Sequence, residues 1–375
     1  MNPAICEQFG IDFALFAFSH CRDVVAAVSR AGGFGVLGAI AFPPAQLEAE
    51  LKWIDEHVDG KPYGVDIVMP AKIEGGSLGF DPAAFEAMIS EKHKAFVQKV
   101  LDDYGVPKLP AGEEAHQGLL GWVHEAAREQ VEVSLRHPIK MVVNALGAPP
   151  SDVIDRVHKK GIKIAALVGT VEQARHQVEA GVDVVVAQGT EAGGHTGEVA
   201  TMVLVPDVVD AISPTPVLAA GGIGSGRQVA AAIALGAQGA WTGSIWLTTT
   251  ESDVHPVAVK KLLAAGSRDA VRSRSLTGKP ARQLRTPWTE VWEGPDSPGT
   301  LPMPLQFMVT VEAVTRIHRY AHVEGSGAAK LIGSPVGQIV SRMNSVRPVK
   351  EVMYDLMNEF VDAVGRMNAL VAEER

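Results

Sequence analysis

The stretch PVLAAGGIGSGRQVAAAIALGAQGAWTGS, residues 216–244, follows the order strand, glycine-rich turn, helix, strand. Its runs VLAA and GAWT are apolar on both faces, as parallel strands are when helices cover both sides of a sheet. Residues 228–235 between them form a predicted helix. The stretch therefore predicts a β–α–β unit, the repeat from which parallel α/β folds are built.

The same unit recurs along the chain before residue 216. Eight strands are predicted in all, at residues 13–18, 35–39, 63–69, 139–144, 163–168, 182–187, 216–222 and 239–244. The predicted helices between them cover residues 22–31, 44–58, 151–160, 171–180, 203–212 and 228–235. Such repeats fit a doubly wound sheet or a closed (β/α)8 barrel, and eight units favour the barrel. The expected fold class is thus α/β, a TIM barrel over residues 1–270.

Two segments depart from the repeat. Residues 71–138 form a polar insertion, helical in its pattern, after the third strand. Barrel enzymes carry lids at that end of the strands, so the insertion is either a lid or an inert helical decoration. After about residue 250 the strand pattern stops. Residues 271–375 are expected to form a loop and C-terminal helices that pack on the barrel.

Composition excludes several function classes. The 375 residues carry a net charge of −9, which disfavours nucleic acid as a partner. Apolar runs stay short of the roughly 18 residues that a membrane helix needs, and the N-terminus lacks the pattern of a signal peptide. Cys6 and Cys21 have no CxxC spacing, and no HExxH motif suggests a metal. A cytoplasmic protein with reduced thiols, without a metal centre, is expected.

Two glycine-containing turns follow the seventh and eighth predicted strands. Gly221 and Gly222 open the first turn, and Thr242, Gly243 and Ser244 form the second. Barrels commonly bind phosphate at these two turns, and glycine lets the backbone approach a ligand closely. A phosphate-bearing cofactor is therefore expected here. The string GGIGSG is no dinucleotide fingerprint, because it comes late in the chain and lacks an acidic residue about 20 positions on.

The sixth predicted strand runs into QGTEAGGHTG, residues 188–197. This position places His195 among glycines on the catalytic face of a barrel, and imidazole is the side chain best suited to proton transfer near neutral pH. Glu191 is either a second acid/base or a hydrogen-bond acceptor that stabilises the loop. The basic stretch SRDAVRSRSLTGKPARQLR, residues 267–285, is either an anion site or a solvated loop.

Together, the strings AGGFGVLGA (31–39), GVDVVVAQGTEAGGHTG (181–197), residues 216–244 and TGKPAR (277–282) resemble the nitronate monooxygenase family, formerly 2-nitropropane dioxygenases. The resemblance implies a barrel with non-covalent FMN that oxidises alkyl nitronates with O2 to carbonyl compounds and nitrite. It implies that His195 is the catalytic base. The resemblance also implies cofactor-binding residues, which are Gln188, Gly189, Gly221, Gly222, Gly243 and Ser244. Two further residues, Asp66 and Gly194, are expected to bind the cofactor beside them.

The sequence departs from the family at the first and third strands. The family's first strand usually ends in a Pro-Met pair, and here that place is taken by Ala17, Phe18, Ser19 and His20. The third strand commonly ends in an asparagine, and Asp66 stands in its place. A carboxylate beside the flavin disfavours an anionic nitronate. Two alternatives therefore stay open for the small-molecule substrate. One is an NAD(P)H-dependent flavin reductase acting on a quinone or an enoyl or steroid-ring CoA thioester; the other is a non-redox phosphate-binding barrel. The oligomeric state is left open, with a homodimer among the alternatives.

Overall fold

A computed structural model describes residues 3–69, 82–113, 115 and 124–372 of the chain. In this part, eight parallel strands close into a barrel, and the last pairs with the first through Trp241 opposite Phe16. The strands are β1 Leu15–Ser19, β2 Phe34–Gly38, β3 Tyr63–Asp66, β4 Met141–Asn144, β5 Lys163–Val168, β6 Val184–Gln188, β8 Val217–Ala220 and β9 Gly239–Thr242. Each predicted strand overlaps one of these, so the predicted TIM barrel is confirmed.

Helices cover the outside of the barrel between successive strands. They are α2 Arg22–Arg30, α3 Pro44–His57, α7 Ser151–Lys159, α8 Val171–Glu179, α9 Thr201–Ile212 and α10 Gly226–Ala234. A long C-terminal helix, α15 Val349–Ala372, packs against both α10 and α2. It thereby closes the ring of helices at the junction of the last and first strands. None of the helices in the described residues is long and apolar enough to cross a membrane.

The barrel interior is filled by apolar side chains from alternate positions of the strands. They include Phe16, Phe34, Val36, Met141, Val143, Ala165, Val184, Val186, Leu218, Ala220 and Trp241. The short helix α1 Ala4–Phe9 adds Ile5, Cys6 and Phe9 to the same cluster. Since these residues precede β1, α1 packs at the N-terminal end of the barrel. The opposite end, where the strands finish, is where the polar side chains lie.

A second apolar core joins the insertion to the C-terminal part of the chain. The described helices of the insertion are α4 Pro82–Ala87, α5 Glu91–Asp103 and α6 His124–Ser134, and α5 packs with α11 Pro256–Ala264, α12 Pro287–Glu293, α13 Leu305–Tyr320 and α14 Ala328–Leu331. Arg316 on α13 is buried and donates hydrogen bonds to the carbonyl oxygens of Pro107 and Val106, each at 2.8 Å. These contacts anchor α5 to the C-terminal helices. Residues 71–81, 114 and 116–123, on which the predicted lid also falls, lie outside the described residues.

The prediction that strands stop near residue 250 is wrong. β10 Ala270–Ser273 and β11 Ala281–Leu284 form an antiparallel sheet with β7 Gly194–His195, in the order β10, β11, β7. These strands are short and carry arginine, so they lack the apolar runs by which the barrel strands were predicted. Arg282 is nevertheless buried, because its Nε donates to the Thr190 carbonyl at 2.8 Å and Nη1 to that of Ala270 at 2.7 Å. The basic stretch is therefore not a simple solvated loop.

Candidate active site

His195 lies above the end of β6, on the two-residue strand β7. It pairs with Ala281 of β11, so the sheet of β7, β10 and β11 holds its backbone in place. The glycines before it are required for different reasons. A Cβ on Gly193 would lie 2.8 Å from the Val336 backbone, and Gly194 has a φ of +76°, which side chains disfavour. Close packing and a left-handed turn therefore set the position of the imidazole.

The side chain of His195 is held by Thr277 in the loop between β10 and β11. Its Nε2 lies 2.7 Å from Thr277 Oγ1, and that hydroxyl lies 3.3 Å from the Lys279 carbonyl oxygen. A carbonyl oxygen only accepts, so the hydroxyl proton is directed to Lys279, and Nε2–H donates to Thr277. This network assigns the proton to Nε2 and leaves a lone pair on Nδ1. Nδ1 makes no hydrogen bond to any described residue and is free for a ligand.

The imidazole of His195 is uncharged at neutral pH. Burial lowers its pKa to about 4, and the positive charge of Lys279 acts in the same direction. A neutral imidazole can accept a proton, which a protonated one cannot. Both features that a general base needs, the correct charge state and a free nitrogen, are therefore present at this position.

Gly189, Gly221 and Gly222 form a backbone cradle beside the same loop. A Cβ on Gly221 would lie 2.8 Å from Thr201 Oγ1 and 3.0 Å from the Gly189 carbonyl oxygen. Gly221 and Gly222 also have φ values of +99° and +70°. Side chains at these positions would clash or strain the backbone, so this surface remains bare peptide. Bare peptide suits a flat or anionic group that must approach the backbone closely.

Glu191 stabilises the loop and is not free for proton transfer. One of its carboxylate oxygens accepts hydrogen bonds from the Thr201 amide at 3.0 Å and the Thr201 hydroxyl at 2.8 Å. Thr201 is the first residue of α9, so the carboxylate satisfies an otherwise unpaired amide at the start of that helix. Of the two interpretations of Glu191, the acceptor that stabilises the loop is the one that the contacts support.

The second turn follows β9 directly, at Gly243. β9 ends at Thr242, and Ser244 starts a 3-10 helix that runs to Thr248. The first amides of any helix lack intrahelical acceptors and can bind an anion. A Cβ on Gly243 would meet no atom closer than 3.9 Å, so the space above this turn is open. The bare peptide at Gly221 and this turn are therefore the candidate position for a phosphate.

The N-terminus of α10, by contrast, is already occupied by protein groups. The Gly226 amide donates to Glu359 at 3.1 Å, and the Gly224 amide donates to Gln228 at 2.9 Å. Ser225 caps the helix by accepting from the Gln228 amide. The open anion-binding position is therefore at the two turns rather than at this helix.

Two titratable side chains lie on the other side of the barrel mouth. Asp66 ends β3, is only 5% exposed, and its Oδ1 has no hydrogen-bond partner among the described residues. Burial raises the pKa of Asp66 to about 7. His20 follows β1, and its Nδ1 lies 2.9 Å from the Gly38 carbonyl oxygen. Because that oxygen only accepts, Nδ1 carries the proton and Nε2 has the lone pair.

The structure brings the predicted site residues to one end of the barrel. Gln188, Gly189, Gly194 and His195 follow β6, the two glycine turns follow β8 and β9, and Asp66 ends β3. Sequence reasoning missed Thr277, which carries no signal of its own beyond its place in TGKPAR, and gave His20 no role. The signal for His20 was present as the departure at the end of the first strand. The described residues contain no group of three or more histidines, cysteines or carboxylates that could hold a metal ion.

Comparisons with known proteins agree with this arrangement. The sequence model of the family described as Nitronate monooxygenase matches residues 17–359. A Mycobacterium tuberculosis protein provisionally named a monooxygenase is 51% identical over 375 residues, covering 99% of this chain and 100% of that protein. Two solved structures are similar. Nitroalkane oxidase from Streptomyces ansochromogenes has a TM-score of 0.77 and 26% identity, covering 97% of this chain and 99% of that one. FabK from Thermotoga maritima has a TM-score of 0.73 and 29% identity, covering 99% of each chain.

Proposed function

The chain belongs to the nitronate monooxygenase family of flavin-dependent oxidoreductases, and on this premise we propose that it binds FMN and oxidises alkyl nitronates with O2 to carbonyl compounds and nitrite. The observation that carries the proposal is His195, an uncharged imidazole with a free Nδ1 beside a bare-peptide cradle. That combination suits a proton-transfer group next to a flat cofactor.

The residues around the mouth fit FMN. Gly221, Gly222, Gly243 and Ser244 would hold its phosphate, since the peptide there is bare and the first amides of a 3-10 helix lack intrahelical acceptors. Gln188, Gly189 and Gly194 would border its ring at the end of β6, and Asp66 would face the ring from β3. When bound, FMN would supply the redox chemistry, the transfer of electrons from the nitronate to O2.

The protein's own contribution is binding, orientation and proton transfer. With a neutral nitroalkane, His195 Nδ1 takes the proton from the carbon next to the nitro group. Thr277 keeps the ring oriented by accepting from Nε2–H. The small sheet of β7, β10 and β11 holds the backbone of His195 on this side of the mouth.

The proposal is tested by O2 uptake and nitrite release with an alkyl nitronate. The purified protein is expected to be yellow, to release FMN on denaturation, and to form nitrite as O2 is consumed. A colourless protein that cannot be loaded with FMN would support the non-redox alternative. A yellow protein that forms no nitrite from any alkyl nitronate would contradict the proposed reaction.

A second candidate is NAD(P)H-dependent flavin reduction, with a quinone or an enoyl or steroid-ring CoA thioester as the electron acceptor. Two observations favour it: the 29% identity with FabK from T. maritima and the buried carboxyl group of Asp66. In that reaction His195 would act on the acceptor as a proton donor. Rapid bleaching of the flavin by NADH or NADPH, without bleaching by nitronates, would select this candidate.

A further inference from the structure

Asp66 is a buried carboxyl group with an unmet need for a partner. Its Oδ1 is enclosed and makes no hydrogen bond to any described residue, and none of the described side chains forms an ion pair with it. An isolated carboxylate in such a place is costly, so the group is protonated instead and becomes a hydrogen-bond donor. The elevated pKa of Asp66, about 7, agrees with this expectation. A buried donor without an acceptor is a place for a ligand atom.

Strand register directs Asp66 into the barrel mouth. Val65 and Ile67, its neighbours in sequence, belong to the outer core under the helices, so Asp66 points inward. Gly38 lies opposite Asp66 on β2, and a Cβ there would lie 2.6 Å from His20 Nδ1. His20 therefore fills the space that a side chain at Gly38 would take, next to the carboxyl group.

The side of the barrel mouth that carries Asp66 and His20 lies across from His195. In the closed order of eight strands, β3, which carries Asp66, and β1, which precedes His20, are each three strands from β6 by the shorter way. The Asp66–His20 side and the His195 side thus lie across the mouth from one another, and the proposed substrate would lie between them. On one side, Asp66 offers a hydrogen-bond donor and His20 Nε2 offers an acceptor. On the other side, His195 Nδ1 can accept a proton.

We infer that Asp66, while protonated, binds the nitro group of the substrate by donating a hydrogen bond from its carboxyl group to a nitro oxygen. The inference rests on the proposed function and adds a substrate-binding residue to it. A preformed nitronate anion is the poorer ligand whenever Asp66 is ionised, because two negative charges then share one enclosed space.

The proton-transfer step balances without a further reactant. The C–H bond beside the nitro group breaks, its proton goes to Nδ1 of His195, and its electron pair moves onto the nitro group. The negative charge appears at the oxygen to which Asp66 already donates, while the Asp66 proton stays on the carboxyl group. A donor placed where charge develops stabilises the transition state more than the ground state.

The charged groups around Asp66 are few. From β2 and β4, the strands on either side, no titratable side chain faces it. His20 is the neighbour from β1, and burial lowers its pKa, so it is uncharged at neutral pH, with Asp253 acting on it in the opposite direction. Across the mouth lie His195, also uncharged, and Lys279. Among the described residues on the Asp66–His20 side of the mouth, Asp66 is therefore the group whose charge changes near neutral pH.

The test compares nitroethane with ethylnitronate, each freshly prepared and rapidly mixed with the flavin-loaded enzyme near pH 6 and pH 8. For the native enzyme, kcat/KM for ethylnitronate is expected to fall about tenfold between these values, as Asp66 ionises around pH 7. In Asp66→Asn, which donates but never ionises, the fall is expected to disappear. Asp12→Asn, a change of an exposed carboxylate, serves as the control and should keep the native profile.

Two results would overturn the inference. One is an unchanged pH profile in Asp66→Asn. The other is an equal loss of kcat/KM in Asp66→Asn with both substrates, accompanied by a native flavin spectrum that changes with pH in the absence of substrate. That result would make Asp66 a flavin contact only.

An infrared difference spectrum gives a readout that needs no turnover. The band of a protonated carboxyl should be present, absent in Asp66→Asn, and shifted by nitroethane. If that band behaves as expected while neither substrate reduces the flavin, the proposed function fails and the donor role of Asp66 stands; a missing band contradicts the donor role itself.

Discussion

The two ends of the barrel differ in how completely they are filled. At the N-terminal end, Phe9 of α1 contacts Phe16 and Phe34 with ring centroids 5.5 and 5.1 Å apart, and the surrounding side chains are apolar. At the C-terminal end, His195 Nδ1 and Asp66 Oδ1 have no partner among the described residues. Apolar packing is complete at the first end, whereas the second end has polar atoms without a partner among the described residues. We propose that the first end stabilises the fold and the second carries the chemistry.

The largest effect is expected from removing the imidazole at the open end. His195→Asn should lower kcat/KM for a nitroalkane by about 10²- to 10⁴-fold, because the proton acceptor is lost. The thermal midpoint should change little, since the ring packs into a ligand space and not into a core. His176→Asn, on the exposed face of α8, is the control. Near-native activity in His195→Asn would remove the imidazole from the proposed mechanism.

A substitution at the N-terminal end of the barrel should have the opposite effect, a loss of stability without a loss of activity. Phe9→Ala leaves a cavity between α1 and the barrel floor and should lower the free energy of unfolding by about 3–5 kcal/mol. Activity per folded molecule should stay near native, because the site is at the far end. Urea denaturation and initial rates measure the two quantities. Phe9→Leu should lose much less stability; a loss of activity without loss of stability in Phe9→Ala would break the division between the ends.

The α/β class was predictable because parallel strands covered by helices carry continuous apolar runs such as VVVA and VLAA, and the count of eight units favoured the barrel over a doubly wound sheet. The small sheet was not, since Arg282 in β11 is buried only through hydrogen bonds to the Thr190 and Ala270 carbonyls. These partners are distant in sequence and leave no local pattern. The position of α1 could not be predicted for a related reason, because its apolar face is recognisable only against the end of the barrel that it covers.

The candidate site was predictable in position more than in chemistry. The glycine turns and His195 follow strands, and strand order alone places them at one end. The charge states of His195 and Asp66 depend on burial, which sequence does not show. The same holds for the orientation of His195, which depends on Thr277 from a loop 82 residues away.

Asp66 offers a test of stability at the open end. Its pKa in the folded state is raised to about 7 from 3.8, so the stabilisation is complete below about pH 4 and is lost as the pH rises through 7. Relative to the native protein, Asp66→Asn should therefore gain up to about 4 kcal/mol between pH 4 and pH 8. Urea titrations at both pH values measure the difference. A gain that is independent of pH would show that Asp66 is not buried as an acid.

The smallest effect is expected from the partner of His195. Thr277→Val removes the acceptor for Nε2–H and should lower kcat about tenfold with little change in KM, because the ring loses its orientation but keeps its nitrogen. Thr277→Ser keeps the hydroxyl and should restore most of the rate. Equal losses in both variants would assign Thr277 a role in packing only.

The most direct test of the central claim is anaerobic mixing of the flavin-loaded protein with an alkyl nitronate in a stopped-flow spectrometer. The account predicts that the flavin absorbance changes on mixing and that O2 is consumed and nitrite released on aeration. A flavin that stays fully oxidised with every nitronate, yet is bleached at once by NADH or NADPH, would contradict it.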